Sequence, residues 1–138
     1  YGTQAEVNAL KSFGTNFGMT FQLIDDAIDY SSNRQTLGKN IGDDFKEGKI
    51  TLPIILAYGR SNENEKKFWK RTISDLNQVE EDFDKALEII NKYQCIEDTI
   101  TRANHFANVA VDSLDIFKNN IYKEKLVSLV STSVSRIY

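Results

Sequence analysis

The segment FQLIDDAID, residues 21–29, belongs to a longer stretch whose apolar residues recur at the spacing of an α-helix. We predict one long amphipathic helix over residues 5–31, with Gly14 or Gly18 as the positions where it could break. The side chains expected on its apolar side are Leu10, Phe13, Phe17, Phe21, Ile24 and Ile28. This helix indicates the fold class, because the apolar residues in the other periodic stretches of the chain also recur at helical spacing.

The polar side of this helix carries Gln22, Asp25, Asp26 and Asp29 within a sector of about 100°. Like charges at such spacing repel by about 0.2–0.5 kcal/mol for each pair, and no lysine or arginine stands three or four residues away to offset them. A hard divalent cation such as Mg²⁺ accepts carboxylate oxygens and would remove the repulsion. A solvated acidic surface is the alternative for such a string taken alone.

Residues 32–50 contain three glycines and many charges without an apolar period, so we predict a long loop of functional importance. It places Lys39, Lys46 and Lys49 among the acids Asp43, Asp44 and Glu47. Ammonium groups beside metal-bound carboxylates suit a diphosphate, whose oxygens the metal and the lysines would share. The phosphate-binding pattern GxxxxGK[ST] is absent from the sequence, so side chains and metal would have to hold the polyanion.

The rest of the chain predicts further helices and no strand, so the fold class is all-α. A short helix starting at residues 51–53 should be buried nearly all round, because residues 54–58 are apolar. A polar connector over residues 61–67 should lead into a helix around residues 68–76. The remaining helices are expected at about 79–93, 96–119 and 122–136, with no internal domain boundary.

Composition excludes several classes of protein. The chain has 138 residues with 17 Lys+Arg and 20 Asp+Glu, and this net charge of −3 argues against a nucleic-acid binder. At 41% hydrophobic and 27% charged residues it has the composition of a soluble globular chain, and it contains no apolar run of about 18 residues. Trp69, within KKFWKR, suggests either a membrane-surface patch or, as we favour, a half-buried anchor.

Two segments together resemble a known family. FQLIDDAIDY, followed by LGKNIGDDFKEGKITLPIILA, is similar to the second aspartate-rich motif and the following loop of the trans-polyprenyl diphosphate synthases, across residues 21–57. The match leans towards the octaprenyl and decaprenyl type. The family's first aspartate-rich motif and its isopentenyl diphosphate arginines do not occur in these residues, and the chain begins with Tyr1. We therefore expect residues 1–138 to be the C-terminal half of a single synthase domain, part of the isoprenoid synthase helical bundle.

The resemblance implies roles for particular residues. Asp25, Asp26 and Asp29 would hold Mg²⁺ against the diphosphate of an allylic substrate, with Asp25 and Asp26 counted as catalytic. Gln22 would stabilise positive charge on the allylic carbon during ionisation. The residues expected to bind the substrate diphosphate are Lys39, Lys49 and Asp44.

The resemblance also implies the reaction and its setting. Isopentenyl diphosphate would condense with the allylic diphosphate to give a polyprenyl diphosphate for a ubiquinone side chain. The expected enzyme is a homodimer in the bacterial cytoplasm or the mitochondrial matrix, with peripheral membrane contact through its product. Residues 1–138 alone should be inactive.

Three other functions stay open from the sequence. One is a non-catalytic partner subunit of a heteromeric synthase, against which the intact aspartates and both Gly-Lys pairs argue. Another is a class I terpene cyclase, whose usual (N/D)Dxx(S/T)xxxE motif residues 25–33 do not match. The last is an acidic helical interaction domain without catalytic activity.

Overall fold

The computed structural model describes residues 2–31 and 42–138, and every regular element in those ranges is helical. This confirms the all-α prediction. The helices are α1 (Gln4–Ile28), α2 (Asp43–Lys46), α3 (Leu52–Arg60), α4 (Glu63–Trp69), α5 (Asp82–Lys92), α6 (Cys95–Asp112) and α7 (Ile121–Ser135), with a π-helical turn over Lys70–Ser74 after α4.

Helix α1 runs without a break through Gly14 and Gly18, so the possible interruption does not occur. A methyl group added at either glycine would have nothing within 4 Å. The predicted apolar side is only partly buried, because Phe13, Ile24 and Ile28 are enclosed whereas Leu10 is 49% and Phe21 42% exposed.

The region after α1 differs from prediction in two ways. The expected loop contains the short helix α2, anchored by Phe45, which is 1% exposed. Helix α3 begins as predicted, with Pro53 in its first turn. The prediction that α3 is buried nearly all round was wrong, however. One side holds the buried Ile54 and Ala57, while Ile55 on the other side is 53% exposed.

Helix α4 begins in what we expected to be a polar connector. The Asn62 side chain accepts a hydrogen bond from the Glu65 backbone N–H at 2.9 Å, and Glu65 Oε1 accepts one from the Asn62 backbone N–H at 2.9 Å. This capping box satisfies two backbone donors that the first turn of a helix leaves without partners. Glu65 also accepts bonds from Tyr93 Oη at 2.6 Å and Lys92 Nζ at 3.0 Å, which join α4 to α5.

These partners lower the pKa of the Glu65 carboxyl to about 2, with the hydrogen bond from Tyr93 as the largest cause.

Near its end α4 carries Trp69, which is 2% exposed and donates from Nε1 to Ser61 Oγ at 3.1 Å. Trp69 is therefore a core residue, so the prediction of a half-buried anchor was wrong, and its own side chain is not available to a membrane surface.

The chain divides into two compact units. One comprises residues 1–24 and 100–138, and its core includes Phe13, Ala107, Ala110, Leu114 and Val130. The other comprises residues 25–99, and its core includes Tyr30, Phe45, Trp69, Ile89 and Ile90. No helix in the described residues is long and apolar enough to cross a membrane.

Candidate metal and diphosphate site

Three aspartates stand at the C-terminal end of α1. Asp29 is 4% exposed, and Asp25 and Asp26 are partly buried. The last turn of α1 has no basic residue, although the C-terminus of a helix carries a partial negative charge that cations stabilise. Helix dipole and carboxylates therefore add to one region of negative potential, which favours a cation.

Asp44, in the first turn of α2, joins this region. Its backbone N–H donates to Asp29 Oδ2 at 2.9 Å, which fastens α2 to the end of α1. Its own Oδ2 is buried and accepts no hydrogen bond within the described part of the chain. The pKa of Asp44 is raised to about 6 by burial first, then by the charge of Asp29 and hydrogen bonding to it; Lys49 opposes these effects, and Asp26 adds to them. The structure thus brings Asp26, Asp29, Asp44 and Lys49 together.

Lys49 is held near these carboxylates by a tight turn at the end of α2. Gly48 N–H donates to Phe45 C=O at 3.0 Å and Lys49 N–H donates to Asp44 C=O at 2.9 Å. Gly48 has φ +68°, in the left-handed region that glycine adopts without steric cost. Lys49 is an exposed residue, and its positive charge acts to lower the pKa of the Asp44 carboxyl. The other predicted lysine, Lys39, lies outside the described residues.

Replacing Gly48 with alanine is expected to destabilise the protein by about 1–3 kcal/mol, the usual cost of such backbone strain. An added Cβ would lie 2.9 Å from the Ile73 carbonyl oxygen and would also overlap Leu76 Cδ2, and the backbone oxygen cannot move aside easily. Urea unfolding measures the change. Gly59→Ala is the matched control, because nothing lies within 4 Å of its added Cβ and alanine stabilises a helix by about 0.5–1 kcal/mol over glycine. Equal stability of both variants would contradict the role given to this turn.

The donor set fits Mg²⁺, although these residues form no preformed cage. In residues 2–31 and 42–138 no three acidic, histidine or cysteine side chains converge closely enough to enclose a metal ion. Mg²⁺ commonly takes one or two carboxylates and completes its shell with water and substrate phosphate oxygens. The Asp44 carboxyl has a buried oxygen without a hydrogen bond, and its pKa is raised. Both observations indicate that its negative charge is poorly stabilised by the chain itself and that a cation would stabilise it.

Gln22 is exposed on α1, three residues before Asp25. Nothing in its surroundings tests the predicted role at the allylic carbon, which stays a prediction. The same holds for the assignment of Asp25, Asp26 and Asp29 as metal ligands and of Lys39, Lys49 and Asp44 as diphosphate ligands.

The described residues combine an all-α fold with a carboxylate-rich helix end and an adjoining turn that carries a lysine. The polyprenyl synthetase family model matches residues 1–90, and the chain belongs to that family. The octaprenyl diphosphate synthase of Haemophilus influenzae is 39% identical over 99% of this chain. That match covers 41% of the relative, so the chain spans about two fifths of its length.

Solved structures agree with this assignment. The polyprenyl synthase of Caulobacter crescentus, crystallised with calcium and isoprenyl diphosphate, superposes with a TM-score of 0.89 at 42% identity, covering 99% of this chain and 42% of that one. A decaprenyl diphosphate synthase of Rhodobacter capsulatus superposes with a TM-score of 0.91 at 32% identity, over the same shares. The expected isoprenoid synthase fold is therefore confirmed.

Proposed function

We propose that this chain supplies the second aspartate-rich motif and the allylic diphosphate site of a magnesium-dependent polyprenyl diphosphate synthase. The observation that carries the proposal is the partly buried group of Asp26, Asp29 and Asp44 with Lys49 beside it. Such a group binds a polyanion only together with a cation, and a metal–diphosphate complex satisfies both requirements. Calcium and isoprenyl diphosphate in the Caulobacter crescentus structure support this chemistry.

Mg²⁺ held by Asp25, Asp26 and Asp29 would neutralise charge on the leaving diphosphate. Lys39 and Lys49 would bind the remaining diphosphate oxygens and stabilise the same developing charge. The amide oxygen of Gln22 would face the positive charge on the allylic carbon after the carbon–oxygen bond breaks. The double bond of isopentenyl diphosphate would then attack that carbon, and loss of a proton would complete the condensation.

The relatives support a proposal for the product and the setting of the reaction. We propose a long prenyl chain, because the relatives described above make octaprenyl and decaprenyl diphosphates, and we propose use of the product for a ubiquinone side chain. Both organisms are bacteria, which supports a bacterial cytoplasmic enzyme over a mitochondrial one. We propose a homodimer for the complete synthase.

The lysines provide a test of which diphosphate this site binds. In a synthase of full family length that carries these residues, Lys39→Ala and Lys49→Ala should each raise the KM for the allylic diphosphate about tenfold to a hundredfold. Each variant loses a charged hydrogen bond worth about 1.5–3 kcal/mol. Steady-state kinetics with each substrate varied in turn measures the effect.

Lys85→Ala is the control for the lysine variants, because Lys85 is an exposed lysine of α5 that pairs with Glu88 at 3.8 Å. We expect this variant to leave both KM values unchanged. An increase confined to isopentenyl diphosphate in the Lys49 variant would show that the site holds the other substrate.

A further inference from the structure

An open groove lies between α3 and the segment formed by α4 and the π-helical turn, within residues 25–99. Its volume is about 640 Å³, which is within the range of ligand-binding clefts. Buried Ile54, Trp69 and Ile73 form its floor. None of these residues takes part in the proposed reaction.

The two walls of the groove differ in chemistry. The α3 wall is apolar and exposed: Ile55 is 53% and Tyr58 48% exposed, and Ile50 just before the helix is 69% exposed. The opposite wall carries Lys66, Lys67 and Lys70, and Glu63 is the acidic residue among the described residues that line the groove. Lys66 Nζ lies 5.5 Å from the centre of the Tyr58 ring, so the two walls meet.

The groove combines half-exposed large apolar side chains with the exposed Lys67 and Lys70 and the partly buried Lys66. This is the composition of a surface that contacts lipid headgroups and the adjoining acyl chains. A covering protein segment would have to bury or neutralise three ammonium groups, and burial of charge without a partner is strongly unfavourable. A bilayer leaves these groups at its polar surface, where anionic lipids attract them.

We propose that this groove, lined by Ile50, Ile55, Tyr58, Lys66, Lys67 and Lys70, docks the protein on the surface of an anionic lipid bilayer. The apolar wall enters the headgroup region and the lysines bind lipid phosphates. The net charge of the chain is −3, so the attraction is local to this wall. The proposal stands on the groove alone and does not depend on the proposed reaction.

The test is co-sedimentation of the complete synthase with vesicles of phosphatidylcholine, with and without phosphatidylglycerol. The double variant Lys67→Gln/Lys70→Gln should weaken binding to the anionic vesicles about 25-fold, at about fivefold for each lysine near the surface. The control pair Lys118→Gln/Lys125→Gln removes the same charge from exposed positions elsewhere and should change binding less than twofold. High salt should weaken binding of the parent protein.

The apolar wall has its own pair of variants. Ile55→Ser should weaken binding at both low and high salt, whereas Leu129→Ser, at an α7 residue that is 52% exposed, should not. Circular dichroism reports whether each variant is folded. Absence of binding to anionic vesicles, an equal loss in the control lysine pair, or full binding by folded Ile55→Ser would each overturn the proposal.

Discussion

Replacing Asp25 with alanine is expected to lower the turnover of a full-length synthase carrying these residues by at least about a hundredfold. Loss of one preorganised electrostatic group at a developing charge costs about 10²–10³ in rate. Asp25 lies at the negative end of α1, where the proposed metal is the source of positive charge. Initial-rate kinetics at saturating Mg²⁺ and substrates measures the effect, and Asp25→Asn should resemble Asp25→Ala because both remove the charge.

The control is Asp112→Ala, which removes an exposed aspartate at the end of α6. This variant also loses one negative charge near a helix C-terminus, so it separates the metal site from a general helix-dipole effect. Circular dichroism should show the same helix content in all three variants. An Asp25→Ala enzyme with turnover near that of the parent would refute the assignment of the metal site.

Local pattern predicted α1 and the class of fold because the apolar period of residues 5–31 extends over seven turns. Burial was harder to predict where the apolar residues do not mark one side of a helix. Residues 54–58 are apolar all round, so the sequence could not show that Ile55 and Tyr58 face outwards while Ile54 is buried. Packing against residues distant in the sequence determines which side of α3 is buried.

The start of α4 is encoded in the local sequence. Asn62 and Glu65 have the spacing of a capping box, which indicates a helix start within residues 61–67. The sequence does not predict the hydrogen bond from Asp44 N–H to Asp29, because it joins residues 15 positions apart and no local pattern describes their contact. The acidic residues 25–29 and the acidic residues 43–44 could each be recognised in the sequence, but the contact between them arises only in the tertiary structure.

Residues 1–138, expressed alone, are expected to show no condensation activity. The resemblance assigns isopentenyl diphosphate binding and half of the metal ligands to motifs that these residues do not contain. The isolated chain should also bind a hydrophobic dye, because α1 exposes Val7, Leu10, Met19 and Phe21 by 42–49%. Covering side chains of this size is worth about 1.5–3 kcal/mol each, against a typical domain stability of about 5–15 kcal/mol.

The structure limits how far the isolated chain should be destabilised. Phe13, Ile24 and Ile54 are buried by residues of the chain itself, so part of its core is complete without further helices. We therefore expect a helical chain with a cooperative but low-temperature unfolding transition, measured by circular dichroism beside dye fluorescence. The comparison is the same residues within a full-length synthase, where dye binding should fall and activity should appear. A dye-negative isolated chain that makes prenyl diphosphate would show that residues 1–138 contain a complete active site.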